Sequence, residues 1–213
     1  LRRPADCGMG HAVGAECQLD MTADRSASVE IVRQLLTVDL TVTGPPLAGI
    51  RVQSSPAGID CRTVSSGPCR ADFDLSTAVR LDASAVTDTR RAWSGACAGA
   101  TGGTCTVDAG GSATSLTRTA GIEYVPRVDL EVEVLGDPSA RVDSTPAGIA
   151  GCGIGVGTCL STFDGGAAVQ LEVTGSTLTP SFSGCAPRAG APQQCDLTLP
   201  STPGASVDVL VDF

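Results

Sequence analysis

Hydrophobic and polar residues alternate with a period of two along much of the chain. Val38-Asp39-Leu40-Thr41-Val42-Thr43, Val128-Asp129-Leu130-Glu131-Val132-Glu133 and Val169-Gln170-Leu171-Glu172-Val173 all follow this pattern, as do Val207-Asp208-Val209 and Val211-Asp212-Phe213. Successive side chains of a strand point to opposite faces, so the pattern predicts strands with one buried and one wet face. No segment keeps a helical stripe beyond ten residues without Gly or Pro. Between the strands, Pro56-Ala57-Gly58 places Pro at i+1 and Gly at i+3 of an expected type I turn. The expected fold is all-β, with roughly six or seven short strands per unit, the count of a small sandwich.

Self-comparison then shows the unit. Val52-Gln53-Ser54-Ser55-Pro56-Ala57-Gly58-Ile59 recurs 90 positions later as Val142-Asp143-Ser144-Thr145-Pro146-Ala147-Gly148-Ile149. The same offset carries Val38, Leu40 and Val42 onto Val128, Leu130 and Val132, and Phe73 onto Phe163. It also carries Val79 and Leu81 onto Val169 and Leu171, Cys69 onto Cys159, and Cys105 onto Cys195. Trp93-Ser94-Gly95-Ala96-Cys97 corresponds, one residue shorter, to Phe182-Ser183-Gly184-Cys185. Two tandem β-sandwich-like modules are expected, 35–127 and 128–213. Residues 1–34 read as the C-terminal part of an incomplete repeat, because Cys17, Leu19, Met21 and Val29-Glu30-Ile31 match Cys195, Leu197, Leu199 and the final strand. The junctions, Gln34 and Pro126-Arg127, are too short for a Gly/Ser tether, which predicts a semi-rigid join.

Composition adds the means of stabilisation. Aromatics are only 3% of the 213 residues, so the cores must be built from Val, Leu, Ala and a few Phe side chains. Ten cysteines, an even count at recurring spacings, point to a disulfide framework and an oxidising, extracellular or cell-surface location. Each full unit has an early pair (Cys61/Cys69, Cys152/Cys159) and a late pair (Cys97/Cys105, Cys185/Cys195). Cys7/Cys17 is the counterpart of the late pair. The partial unit holds its pair alone and leaves no cysteine over, which favours pairing within each local hairpin; spacing by itself leaves connectivity open. Zinc is the competing use, since Cys7, His11 and Cys17 offer two thiolates and an imidazole. The equivalent loops at 97–105 and 185–195 contain no His, and no Cys-x-x-Cys occurs, so disulfides are the expected state and no metal is assigned.

The net charge of −9 and pI near 4.4 disfavour nucleic acid and anionic membrane surfaces as partners. No apolar run approaches the roughly 18–20 residues that span a bilayer, so membrane insertion is not expected. The chain opens at Leu1 without an initiator Met or an apolar leader, which reads as a removed targeting segment or part of a longer protein. All 14 basic residues are Arg, and neither Lys nor Asn occurs. Lys–Asn isopeptide cross-links, N-glycosylation sequons and Schiff-base lysines are therefore excluded.

The Ser-Pro-Ala-Gly-Ile (55–59) and Thr-Pro-Ala-Gly-Ile (145–149) runs, each followed by a cysteine pair and then Phe73 or Phe163, resemble the divergent InlB B-repeat family of bacterial extracellular proteins. Trp93-Ser94-Gly95-Ala96-Cys97 is similar to that family's Gly-Trp-Ser-Gly-x-Cys. Met21-Thr22-Ala23-Asp24-Arg25-Ser26-Ala27-Ser28-Val29 is similar to its closing segment. The second unit departs from the pattern with Phe182 in place of Trp, and 108–121 is irregular and Gly-rich. The resemblance implies repeated modules in large surface or secreted proteins, and it carries no catalytic residues.

No catalytic or cofactor-binding set emerges. His11 is the only histidine and sits in a short Cys-bounded loop, so it reads as a loop residue rather than a triad base. Asp72 and Asp74 lie two apart on one expected strand or turn and do not face each other across a cleft. Asp129, Glu131 and Glu133 form an acidic stripe about 7 Å apart in a strand. Ligands on a flat strand do not converge on Ca²⁺, and the stripe reads as a solvated face that discourages edge pairing. Gly151-Cys152-Gly153-Ile154-Gly155-Val156-Gly157 misses the G-x-G-x-x-G spacing. The expected function is structural: a non-enzymatic segment or subunit of a bacterial cell-surface filament or stalk. Its expected partners are copies of itself, through strand pairing, or adjacent repeats of a longer chain, with residues 1–34 packed on a neighbour. An adhesin or glycan-binding module is the alternative and would need exposed aromatics; Trp93, beside Cys97 and matched by Phe182, is expected to pack under a disulfide instead. A non-catalytic appendage of a secreted enzyme shares all these features.

Overall fold

The computed structural model describes residues 33–63, 67–112 and 114–213. Cys7, His11, Cys17 and the incomplete repeat read over 1–34 lie outside these residues, Arg33 and Gln34 apart. The fold that follows is that of Gln34–Phe213.

The alternating segments are strands, and there is no helix among the described residues. The first sandwich comprises β1 (Leu35–Thr43), β2 (Arg51–Ser55), β3 (Asp60–Arg62), β4 (Arg70–Asp74), β5 (Val79–Ala83), β6 (Thr89–Gly95), β7 (Thr104–Val107) and the first half of β8 (Leu116–Val134). The second takes the other half of β8 with β9 (Arg141–Thr145), β10 (Ala150–Gly153), β11 (Val156–Thr158), β12 (Leu160–Asp164), β13 (Ala168–Thr174), β14 (Ser181–Ser183), β15 (Ala186–Arg188), β16 (Ala191–Thr198) and β17 (Ser206–Asp212). These counts exceed the six or seven expected, because pieces of three or four residues such as β3, β11, β14 and β15 are too short to show an alternation.

In the first sandwich a sheet ordered β4-β1-β8-β6 faces one ordered β3-β2-β5-β7. In the second, β12-β8-β17-β14 faces β11-β10-β9-β13-β16-β15. Because β8 belongs to both, the two β8-containing sheets merge into one of seven strands. β1 and β17 each run parallel to β8, and the other pairings are antiparallel. Each sandwich closes on its own core. Leu36, Val38, Val52, Leu81, Ile122 and Tyr124 are among the buried residues of the first, and Val128, Leu130, Val142, Leu171, Val209 and Val211 of the second.

The pairing register corrects the repeat alignment at β1. Phe73 lies opposite Leu36 and Phe163 opposite Val128, so Leu36, Val38, Leu40 and Val42 correspond to Val128, Leu130, Val132 and Val134. The offset there is 92, since 128 − 36 = 92, rather than 90. Three further observations agree. The N–H of Leu40 donates to Cys69 O and that of Val132 to Cys159 O, both at 2.8 Å. Thr37 donates to Asp72 and Thr162 donates to Asp129, both at 2.6 Å, so one cross-strand bond recurs with its partners exchanged. Gly44 and Gly136, at φ 139° and 85°, sit where a Cβ would come within 2.8 Å of Tyr124 and 2.7 Å of Phe213. The slip preserves the buried face, because strand side chains repeat every two residues. Between Val42 and Val52 the first module has two residues more than the second has between the matched Val134 and Val142, which restores the offset of 90 at Val52.

The repeated Pro-Ala-Gly-Ile turn is also not the expected type I turn. Ser55–Pro56 and Thr145–Pro146 are cis, which puts Pro at i+2. Ser54 Oγ donates to Pro56 O (2.7 Å) and accepts from Ile59 N–H (2.9 Å); Ser144 makes the same bonds to Pro146 O (2.8 Å) and Ile149 N–H (2.9 Å). The motif's glycines leave room for a ring, as a Cβ on Gly58 would meet Phe73 and one on Gly148 would meet Phe163. The recurrence is thus accounted for by packing.

Candidate functional site

The expected boundary at Pro126-Arg127 falls inside β8. Even-numbered residues point inward on both sides of this point. Ala120, Ile122 and Tyr124 enter the first core, and Val128, Leu130, Val132 and Val134 the second. A proline inside a central strand normally removes a ladder hydrogen bond. Pro126 instead falls between Glu123, the last residue paired with β1, and Arg127, the first paired with β12. The missing N–H therefore coincides with the handover from one neighbour to the next.

Three backbone hydrogen bonds lock this crossing. Arg127 N–H donates to Asp88 O (2.7 Å), Gly165 N–H to Pro126 O (2.8 Å) and Gly204 N–H to Arg127 O (2.9 Å). Side chains add a clamp centred on Asp164, at the end of β12. Arg90, on β6 of the first module, donates to both its oxygens from Nη2 (2.7 Å) and Nε (3.2 Å), and Arg127 Nη1 donates at 2.9 Å. Arg127 Nη2 also donates to Thr162 O (2.8 Å). The Arg90 guanidinium holds the Asp164 carboxyl below its ordinary range, partial burial opposes this, and Arg127 adds to the lowering. In return, hydrogen bonding to Asp164 raises the pKa of Arg90.

Part of this geometry recurs at the other end of the first module. Asp74 stands where Asp164 stands, and Leu75 N–H donates to Gln34 O (3.2 Å) as Gly165 does to Pro126 O. At the far end of the second module Thr179 takes the place of Arg90, since 93 − 90 equals 182 − 179 counted back from the matched Trp93 and Phe182. Sequence reasoning missed Arg90, Arg127 and Asp164. The usable signal was an aspartate after each matched phenylalanine, Phe73-Asp74 and Phe163-Asp164; Arg90 has no counterpart and left none.

The cysteines form Cys61–Cys69, Cys97–Cys105, Cys152–Cys159 and Cys185–Cys195, and no free thiol remains among the described residues. Each bridge joins the two sheets of its sandwich. Cys61 on β3 and Cys152 on β10 reach the residue just before β4 or β12, and Cys105 on β7 and Cys195 on β16 reach the segment after β6 or β14. Trp93 packs in the core with Cys97 and Cys105, its Nε1 donating to Gly102 O (3.2 Å). Asp72, Asp74, Asp129, Glu131 and Glu133 are exposed; Asp72 and Asp74 share β4, and Asp208 of β17 lies beside Glu131 of β8. No group of three or more His, Cys, Asp or Glu able to hold a metal occurs among the described residues. No helix among them is long and apolar enough to cross a membrane.

No family model matches the chain, and no curated relative matches it. Among solved structures, the shaft pilin SpaA of Lactobacillus rhamnosus GG is similar over 85% of this chain and 98% of that chain, at 7% identity and a TM-score of 0.19. Similarity at that level carries no argument about function.

Proposed function

We propose that this chain is a non-enzymatic structural repeat protein of the bacterial cell exterior, a segment or subunit of a filament or stalk that transmits force from module to module. The observation that carries the reading is β8. One strand of 19 residues serves two cores, so tension along the chain passes through shared sheet hydrogen bonds instead of a linker. The Asp164 clamp resists bending at the crossing. The inter-sheet disulfides suit an oxidising exterior, where small aromatic-poor cores need covalent support. The recurrence of Asp74 and the Leu75–Gln34 hydrogen bond at the first module's other end suits serial stacking, and the resemblance to InlB B-repeats points the same way.

A glycan-binding role is less well supported. Sugar recognition by stacking needs an exposed ring, and none of the chain's six aromatic side chains is exposed. Electron microscopy of the native material tests the proposal. Filaments or stalks containing this chain are expected; discrete globular particles at high concentration would overturn the reading.

A further inference from the structure

The two modules share a fold but not a surface, and the difference is concentrated in one place. In the second module an open groove of about 820 Å³ lies over the exposed face of β8 and β17. Glu131, Glu133 and Asp208 line it together with Leu135, Leu210 and Ile154 at the tip of the β10–β11 hairpin. Four aliphatic side chains in and beside it are open to solvent: Leu135 (41% exposed), Ile154 (48%), Val156 (45%) and Leu160 (57%). Leu160 lies directly across from Glu131 in the β12–β8 ladder.

The first module supplies an internal control. Thr43 stands in place of Leu135 by the β1 register. Thr63, two residues after Cys61, stands in place of Ile154, two after Cys152; Arg70, just after Cys69, stands in place of Leu160. Thr41 and Thr119 replace Glu133 and Asp208. The fold therefore requires neither the aliphatic rim nor the full acidic floor. Asp208 is paired with Glu131 across parallel strands, an arrangement of like charges that costs stability. None of the three carboxylates has an ion-pair partner among the described residues.

We propose that this groove binds a basic, aliphatic segment of another protein in extended conformation. A strand places alternate side chains about 7 Å apart on one face, the spacing of Glu131 and Glu133, so cationic residues at i and i+2 of the segment meet both. An aliphatic side chain at i+4, on the same face, then meets Leu135 and Ile154. A second copy of this chain is a poor occupant, because its net charge of −9 opposes an acidic floor.

The test is titration of the full chain with a fluorescent arginine–leucine hexapeptide (Arg-Ser-Arg-Ser-Leu-Ser), which puts its two arginines and its leucine on one face, alongside arginine–serine (leucine replaced by serine) and glutamate–leucine (arginines replaced by glutamate) counterparts. The arginine–leucine peptide is expected to bind most tightly. Glu131→Gln, Glu133→Gln and Asp208→Asn together should weaken it about tenfold. Leu135→Thr with Ile154→Thr, which installs the first module's residues, should weaken it about fivefold. Asp39→Asn with Asp72→Asn in the first module should leave it unchanged. All substituted positions are exposed apart from the half-buried Asp39, and thermal melting with disulfide counting verifies that each variant is folded. Absence of binding, equal binding of the arginine–serine peptide, or affinities unmoved by the groove variants would overturn the proposal.

Discussion

Asp164 accepts from two arginines at once, and one of them, Arg90, belongs to the first sandwich. The pair is partly exposed, with side-chain exposures of 48% and 38% for Arg90 and Asp164, so solvent screening reduces its worth well below that of a buried ion pair. A double-mutant cycle with Arg90→Ala and Asp164→Ala should give a coupling of about 0.5–1 kcal/mol in chemical denaturation, falling with added salt. The pH dependence has a definite sign. The carboxyl of Asp164 is held below its ordinary value, so its contribution is complete above the unfolded-state range near pH 4 and is lost as pH falls through the lower folded value. Stability in urea should therefore show no clamp-dependent change from pH 7 to pH 5. Below about pH 4 the wild type should lose its advantage over Asp164→Ala.

The four bridges close loops with sequence separations of 7 to 10 and tie sheet to sheet. Replacing one pair, Cys185→Ala with Cys195→Ala, should cost about 2–3 kcal/mol in denaturant unfolding, because the broken loop regains its freedom in the unfolded chain. At this scale the all-β class was legible, since clean alternation leaves no other period to fit. The register of β1 was not. Val-x-Leu-x-Val reads the same after a slip of two, and the compensating difference lies in loop length, where the hydrophobic pattern is silent. The joint escaped for a related reason. Pro126 and Arg127 look like punctuation between repeats, yet Pro126 stands within β8 where its neighbour changes from β1 to β12, and that depends on which strands flank it. The acidic stripe was readable as an exposed face; the apolar rim around it was not, because Leu135 follows β8 and Ile154 sits in the β10–β11 turn, and the two line one groove only in the fold.

For Gln34–Phe213 as a whole, two cores are coupled through a shared strand, three backbone hydrogen bonds and one ionic clamp. The coupling is polar, and a polar joint holds orientation without merging the cores. Inserting Gly-Ser-Gly between Pro126 and Arg127 should leave both sandwiches folded while replacing concerted unfolding with two transitions, read by calorimetry. The most direct test of a rigid joint is a distance distribution by pulsed electron spin resonance, with spin labels on unnatural side chains at Thr106 and Glu172 so that the disulfides stay intact. The full chain should give a single narrow peak at pH 7, broadened by the Gly-Ser-Gly insertion. A broad distribution in the unaltered protein would contradict the account.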